Sequence, residues 1–166
     1  MATLLKKTNC FFFLLLFTSF YSCISDIEFT AYKTLKNSVW ESHQKMTFNF
    51  EVTDTISAKN LFLNIRNTHQ YPFSNLYVIT TLKYPDEVTV IDTLQYKMTD
   101  ERGAFLGEGF ATILDNKLYY KENIHFSTTG SYQFSVRHAM RKNGQVTPIK
   151  QLEGIQDIGF SIEKIK

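Results

Sequence analysis

Gly130-Ser131-Tyr132-Gln133-Phe134-Ser135-Val136-Arg137-His138-Ala139-Met140 decides the fold of this chain. Tyr132, Phe134, Val136, His138 and Met140 fall on one parity, and Ser131, Gln133, Ser135 and Arg137 on the other. A period of two puts successive side chains on opposite faces, so this stretch predicts a strand with one buried and one solvated face. Asn143-Gly144 follows directly and predicts a tight hairpin, because both residues tolerate positive φ.

The same period recurs on both sides. Met46, Phe48, Phe50 and Val52 alternate with Thr47, Asn49 and Glu51, and Leu61, Leu63 and Ile65 alternate with Asn60, Asn64 and Arg66, with Phe62 the exception. Residues 75–84 are apolar on both parities and predict a central strand covered on two sides. Pro85-Asp86 marks a turn, after which Val88, Val90, Leu94, Tyr96 and Met98 share a parity broken by Asp92. Asp100-Glu101-Arg102-Gly103 is a further turn, and Gly107 and Gly109 mark a turn or bulge. Residues 110–114, 117–121 and 124–126 predict three short strands around an Asp115-Asn116 turn, and Ile158, Phe160 and Ile162 a last one. Residues 25–42 have mixed signals and remain unassigned. About eight strands with regular turns and no sustained helical period predict an all-β, antiparallel β-sandwich. A jelly-roll-like arrangement matches the strand count; the alternative is an immunoglobulin-like sandwich, whose Cys and Trp landmarks are absent.

Upstream of the strands lies a different kind of segment. Lys6-Lys7 precede an apolar block, Cys10-Phe11-Phe12-Phe13-Leu14-Leu15-Leu16-Phe17, which is far short of the roughly 18–20 residues a spanning helix needs. The basic flank and the small Ser22 before Cys23 are those of a secretory signal peptide. A cysteine directly after the cut resembles the lipobox of bacterial lipoproteins, although Phe20 stands where a Leu-like residue is usual. The expected organisation is a signal peptide over 1–22, a lipid-anchored leader over 23–42 and a sandwich domain over 43–166. Membrane lipid is then a partner through acylated Cys23. One myristoyl-length chain binds only reversibly, whereas the two or three of a lipoprotein hold permanently.

Removing 1–22 takes Lys6, Lys7 and Cys10 with it, so the mature chain carries sixteen basic and sixteen acidic residues. A neutral domain without basic clusters is a poor candidate for gripping a phosphate backbone or anionic lipid through charge alone, so no nucleic acid is expected. With Cys23 acylated, no thiol remains for a disulfide, a metal or catalysis. His43, His69, His125 and His138 have no metal-ligand spacing, and His138, on the apolar parity, reads as a core residue. There is no G-x-S-x-G elbow, and Asp92, Glu108 and Asp157 are scattered. No catalytic residue, metal site or cofactor is predicted, and the chain reads as a non-enzyme. The segment over 66–75 is the best working surface, with Arg66, Asn67, Tyr71 and Asn75 as candidate partner-binding residues. Tyr and Arg are enriched where partners dock. The other reading is that Tyr71 and Phe73 cap an open end of the sandwich.

This segment also carries a resemblance. Asn60-Leu61-Phe62-Leu63-Asn64-Ile65-Arg66-Asn67, then Tyr71-Pro72-Phe73-Ser74-Asn75-Leu76, is similar to the gliding-motility lipoprotein GldH family of the Bacteroidota. Asp92-Thr93-Leu94-Gln95-Tyr96, Gly107-Glu108-Gly109-Phe110, Asn116-Lys117-Leu118-Tyr119-Tyr120-Lys121-Glu122 and Gly154-Ile155-Gln156-Asp157-Ile158-Gly159-Phe160 agree with it. The resemblance implies a non-catalytic cell-envelope lipoprotein needed for gliding and linked to type IX secretion, with no cofactor and with other envelope proteins of that machinery as partners. It implies a periplasm-facing position, on the outer rather than the inner membrane, with surface exposure left open. The alternative function is a glycan-binding β-sandwich module, since jelly rolls often carry aromatic sugar platforms.

Overall fold

The computed structural model describes residues 26–109 and 111–165; the expected signal peptide, Cys23, Phe110 and Lys166 lie outside the described residues. Ten strands follow in order: β1 (Ile27–Thr34), β2 (Val39–Glu41), β3 (Met46–Val52), β4 (Lys59–Thr68), β5 (Asn75–Lys83), β6 (Thr89–Lys97), β7 (Ile113–Ile124), β8 (Gly130–His138), β9 (Gln151–Glu153) and β10 (Ile155–Lys164). They form two four-stranded antiparallel sheets, β1-β10-β4-β7 and β3-β8-β5-β6, and a two-stranded ribbon, β2-β9. Without the ribbon, the main strands run 1-8-3-6 and 2-7-4-5 in chain order. That is a jelly roll, two interlocked Greek keys. In an immunoglobulin-like sandwich several consecutive strands pair; here β5 and β6 alone do so among the main strands.

The 130–140 stretch folds as expected. Tyr132, Phe134, Val136, His138 and Met140 are all buried and Gln133 is exposed, with Ser135 the one buried residue of the polar parity. Phe134 stacks on Phe160 of the opposite sheet at 4.1 Å between centroids, and Phe48 and Phe50 pack on Phe160 at 6.3 and 5.5 Å. Offset ring pairs add about 0.5–1.5 kcal/mol each beyond the area they bury, so this aromatic spine joins the sheets strongly.

Four expectations need correcting. The segment 23–42 is not all leader: β1 pairs along β10, and Trp40 of β2 is fully buried, so the sandwich begins at Ile27. Residues 113–124 form one long strand instead of several short ones, because Asp115 and Asn116 find partners on β4 and need no turn. The strands buried on both parities are β4 and β10, while β5 leaves Tyr77 exposed. Asn143-Gly144 does turn, with Gly144 at φ +74° and Gln145 N–H donating to Lys142 O. Its arms pair only briefly, through an antiparallel Arg141–Pro148 bridge and Ile149 N–H donating to Met140 O, before β9 pairs with β2.

The jelly roll has two ends. At the near end β1, β4, β6 and β8 begin and β3, β5, β7 and β10 finish; at the far end the reverse holds. The β4–β5 loop and the β2-β9 ribbon both sit at the far end.

Candidate functional site

Neighbouring residues at the end of β4 face opposite ways. Asn67 points inward and is fully buried; its Oδ1 accepts from Asn116 Nδ2 at 2.7 Å, and its own amide donates to Thr68 O. Asn116 Nδ2 also donates to Ile65 O at 3.0 Å. Gly107 lies directly against the Asn116 side chain, where a Cβ would come within 2.9 Å of the amide. The glycine-studded loop is thereby able to lie flat along β7, with Glu108 and Asp115 exchanging both backbone hydrogen bonds.

Tyr71 is buried as well. Its hydroxyl donates to Asn75 O at 2.7 Å, its ring meets Phe73 edge-on at 5.9 Å, and burial raises its pKa well above the ordinary phenol value. Gly154, at φ +81°, presses against its backbone: a Cβ there would stand 2.3 Å from Tyr71 N. Thr68 N–H donates to Gly154 O, which pins the loop to the start of β10. Tyr71 therefore closes the far end of the core, and Asn75, half-buried, contributes its carbonyl to that closure. Of the four candidate residues, Asn67 and Tyr71 hold the loop from beneath. Neither presents its side chain to solvent.

Arg66 does reach the surface. The register sets it between Asp157 on β10 and Asp115 on β7. Its Nε donates to Asp115 Oδ2 at 3.1 Å, and Nη1 stands 3.9 Å from Asp157 Oδ2. The guanidinium lies 4.2 Å from the ring centroid of Tyr32 on β1. Tyr32 leans over Gly159 of β10, where a Cβ would meet the ring at 2.7 Å, so glycine is needed there for the ring to lie down. Thr34 Oγ1 donates to the other Asp157 oxygen at 2.6 Å. Burial, and then the nearby Asp115 charge, raise the Tyr32 phenol, which stays a neutral donor. The hydrogen bond to Asp115 raises Arg66 further. Arg66, Asp115 and Tyr32 are each between about a third and a half exposed, so this cluster across all four strands is an open, charge-assisted surface.

Beyond it the same sheet face holds a shallow depression of about 250 Å³. Asn64 and Ser161, both buried and hydrogen-bonded at 2.9 Å, floor it, and Lys117 and Glu163, paired at 2.7 Å, rim it. Tyr119, half-exposed, packs on Phe62 farther along this face. Among the described residues no three His, Cys, Asp or Glu gather as metal ligands, and no helix is long and apolar enough to cross a membrane.

Sequence reasoning missed Tyr32, Asp115 and Asp157. The signal was an arginine on the outward parity of an inner strand, which asks for carboxylates on the strands beside it.

The family model described as GldH lipoprotein matches residues 28–162, nearly all of the sandwich. The chain belongs to the GldH lipoprotein family. A relative from Christiangramia forsetii, described as a gliding motility lipoprotein GldH homolog, is 43% identical over 158 residues, 94% of this chain and 95% of its own. The gliding motility lipoprotein GldH of Flavobacterium johnsoniae is 38% identical over 144 residues, 87% of this chain and 89% of its own. Among solved structures, the crystal structure of the infectious bursal disease virus VP2 subviral particle aligns over 84% of this chain and 33% of that one. Its identity is 15% and its TM-score 0.37, a likeness too slight to build on. In this GldH-family lipoprotein, the match takes in all but the first residue of β1 and both carboxylates beside Arg66.

Proposed function

We propose that this chain is a lipid-anchored, non-catalytic component of the gliding motility machinery of the cell envelope, linked to type IX secretion. The observation that carries the reading is the 43% identity, over nearly all of both chains, to a relative described as a gliding motility lipoprotein homolog. Acyl chains such as palmitate on Cys23 hold the domain at the membrane, with the sandwich facing the periplasm. Confinement to two dimensions raises its effective concentration near other envelope proteins without strong pairwise affinity. Arg66, with Tyr32 and Asp115 around it, is the surface that meets them. A stacked, carboxylate-held arginine offers area and hydrogen bonds together at low entropic cost.

The test is Arg66→Gln in the native organism, which removes the charge without placing a third carboxylate beside Asp115 and Asp157. Surface ion pairs contribute about 0–1 kcal/mol, so fold and abundance should survive. Colony spreading should fall, and partners cross-linked in the wild-type envelope should be lost. Normal spreading with an unchanged cross-linking pattern would end the assignment of this surface.

The glycan-binding reading has one observation in its favour: Tyr32 and Tyr119 stand on the same sheet face as the polar depression floored by Asn64 and Ser161. Titration of the purified domain with envelope polysaccharide separates the two. Saturable binding lost in Asn64→Ala favours the glycan.

A further inference from the structure

We infer that the near end of the jelly roll rests on the lipid bilayer, with Ile56, Val88 and Ile165 as its membrane-facing residues. This rests on the lipid anchor at Cys23 and says what the anchor does to the domain.

The argument starts from chain length. Ile27 opens β1 at the near end, and residues 24–26 alone separate it from Cys23. However those residues are arranged, that length of chain spans no more than about 14 Å. The headgroup region of one leaflet is itself roughly 5–8 Å thick. A cysteine whose acyl chains lie in the hydrocarbon therefore draws the near end to the headgroups, and no other end of the fold can take its place.

What that end presents is suited to the contact. Ile56 in the β3–β4 loop is 86% exposed, Val88 in the β5–β6 loop 53%, and Ile165 just after β10 40%. Ile165 N–H donates to Ala58 O, and Lys164 N–H to Asp26 O, so the C-terminal end of β10, the β3–β4 loop and the start of β1 share one surface. Ile56 is held out rigidly: its own N–H and that of Ser57 both donate to Asp54 Oδ1, at 2.9 and 3.1 Å.

Beside Ile56 and Ile165 four charges cancel, and in the Val88 loop Glu87 pairs with Lys83 while Asp86 stays exposed. Lys59, fully buried, pairs with Glu28 at 2.8 Å and Asp54 at 3.3 Å, and Lys164 reaches the same two carboxylates at 3.1 and 3.5 Å. Two cations and two anions interleaved in this way present no net charge to the headgroups. Isolated exposed apolar residues need no explanation. Val146, 83% exposed at the far end, is one such residue. The near-end residues differ because the tether decides where they must lie.

The test uses the full, processed lipoprotein in vesicles of phosphatidylethanolamine and phosphatidylglycerol. Once the signal peptide is gone and Cys23 is acylated, Ile56→Cys and Val146→Cys each carry a single free thiol for an environment-sensitive fluorophore. Acylation is first measured by mass spectrometry. The label at 56 should be quenched several-fold more by nitroxide lipids than the label at 146, and several-fold less by aqueous iodide. An acylated chain with both labels equally open to iodide overturns the inference and leaves the anchor standing. A chain without acyl groups on Cys23 overturns both.

Discussion

Tyr71 is where the docking and packing readings part most sharply. The ring is 3% exposed, so Tyr71→Ala empties a site at the far end of the core and should cost about 3–5 kcal/mol, the usual loss for a buried aromatic. Tyr71→Phe keeps the ring and removes only the hydrogen bond to Asn75 O, worth about 1–2 kcal/mol. In a domain of this size each kcal/mol moves Tm by about 3–4 °C. Tyr71→Phe should then melt about 3–8 °C below wild type, and Tyr71→Ala about 10–20 °C below. The assay is thermal unfolding followed by circular dichroism, beside steady-state level and colony spreading for the same variants. Spreading should fall only in step with abundance. A Tyr71→Ala protein that melts within about 2 °C of wild type yet no longer supports spreading would refute the reasoning.

Phe134→Ala, which removes the ring stacked on Phe160, should destabilise by about 3–5 kcal/mol, while Gln133→Ala on the exposed parity should cost less than about 0.5, both read from urea midpoints. Gly154→Ala forces a side chain onto a left-handed backbone and against Tyr71 N, so a loss of at least about 2 kcal/mol is expected by the same measurement. His138, packed against Trp40 with Nε2 unpartnered, has its pKa lowered by burial. The unfolded chain then takes up a proton before the folded one, so stability is full above about pH 6.5 and falls as pH drops below it. His138→Phe should remove that slope between about pH 6.5 and 5, and an unchanged slope would place its origin elsewhere.

Where burial is decided along one strand, the residues announced it. Phe134 and Gln133 differ in exposure because their parities differ, and that is visible within a few residues. Where a residue is decided by strands far away in the chain, the residues misled. Asp115 and Asn116 look like a turn until Arg66 and Asn67, on β4, supply their partners. Tyr32 sits in a segment with no clear period, and only pairing with β10 lays it over Gly159. Asn67 and Tyr71 were read as a working surface because they are polar or amphipathic, yet a buried polar group with an internal partner has the same composition as one that awaits a ligand. Arg66, of that group, was legible and reaches the surface through its guanidinium.

The pairing of β1 with β10 has a mechanical side. With the anchor proposed at Cys23, a pull through it enters the fold at the near-end tip of β1, along the strand axis, while the Arg66 surface lies toward the other end. The β1–β10 ladder runs from Ile27 to Thr34, so its hydrogen bonds are loaded side by side, in shear, and must give way together. Had the anchor joined β1 at its far-end tip, the same pull would peel the ladder one bond at a time. Under the proposed anchoring, a pull on the domain would thus run in the direction in which its edge strand is hardest to strip.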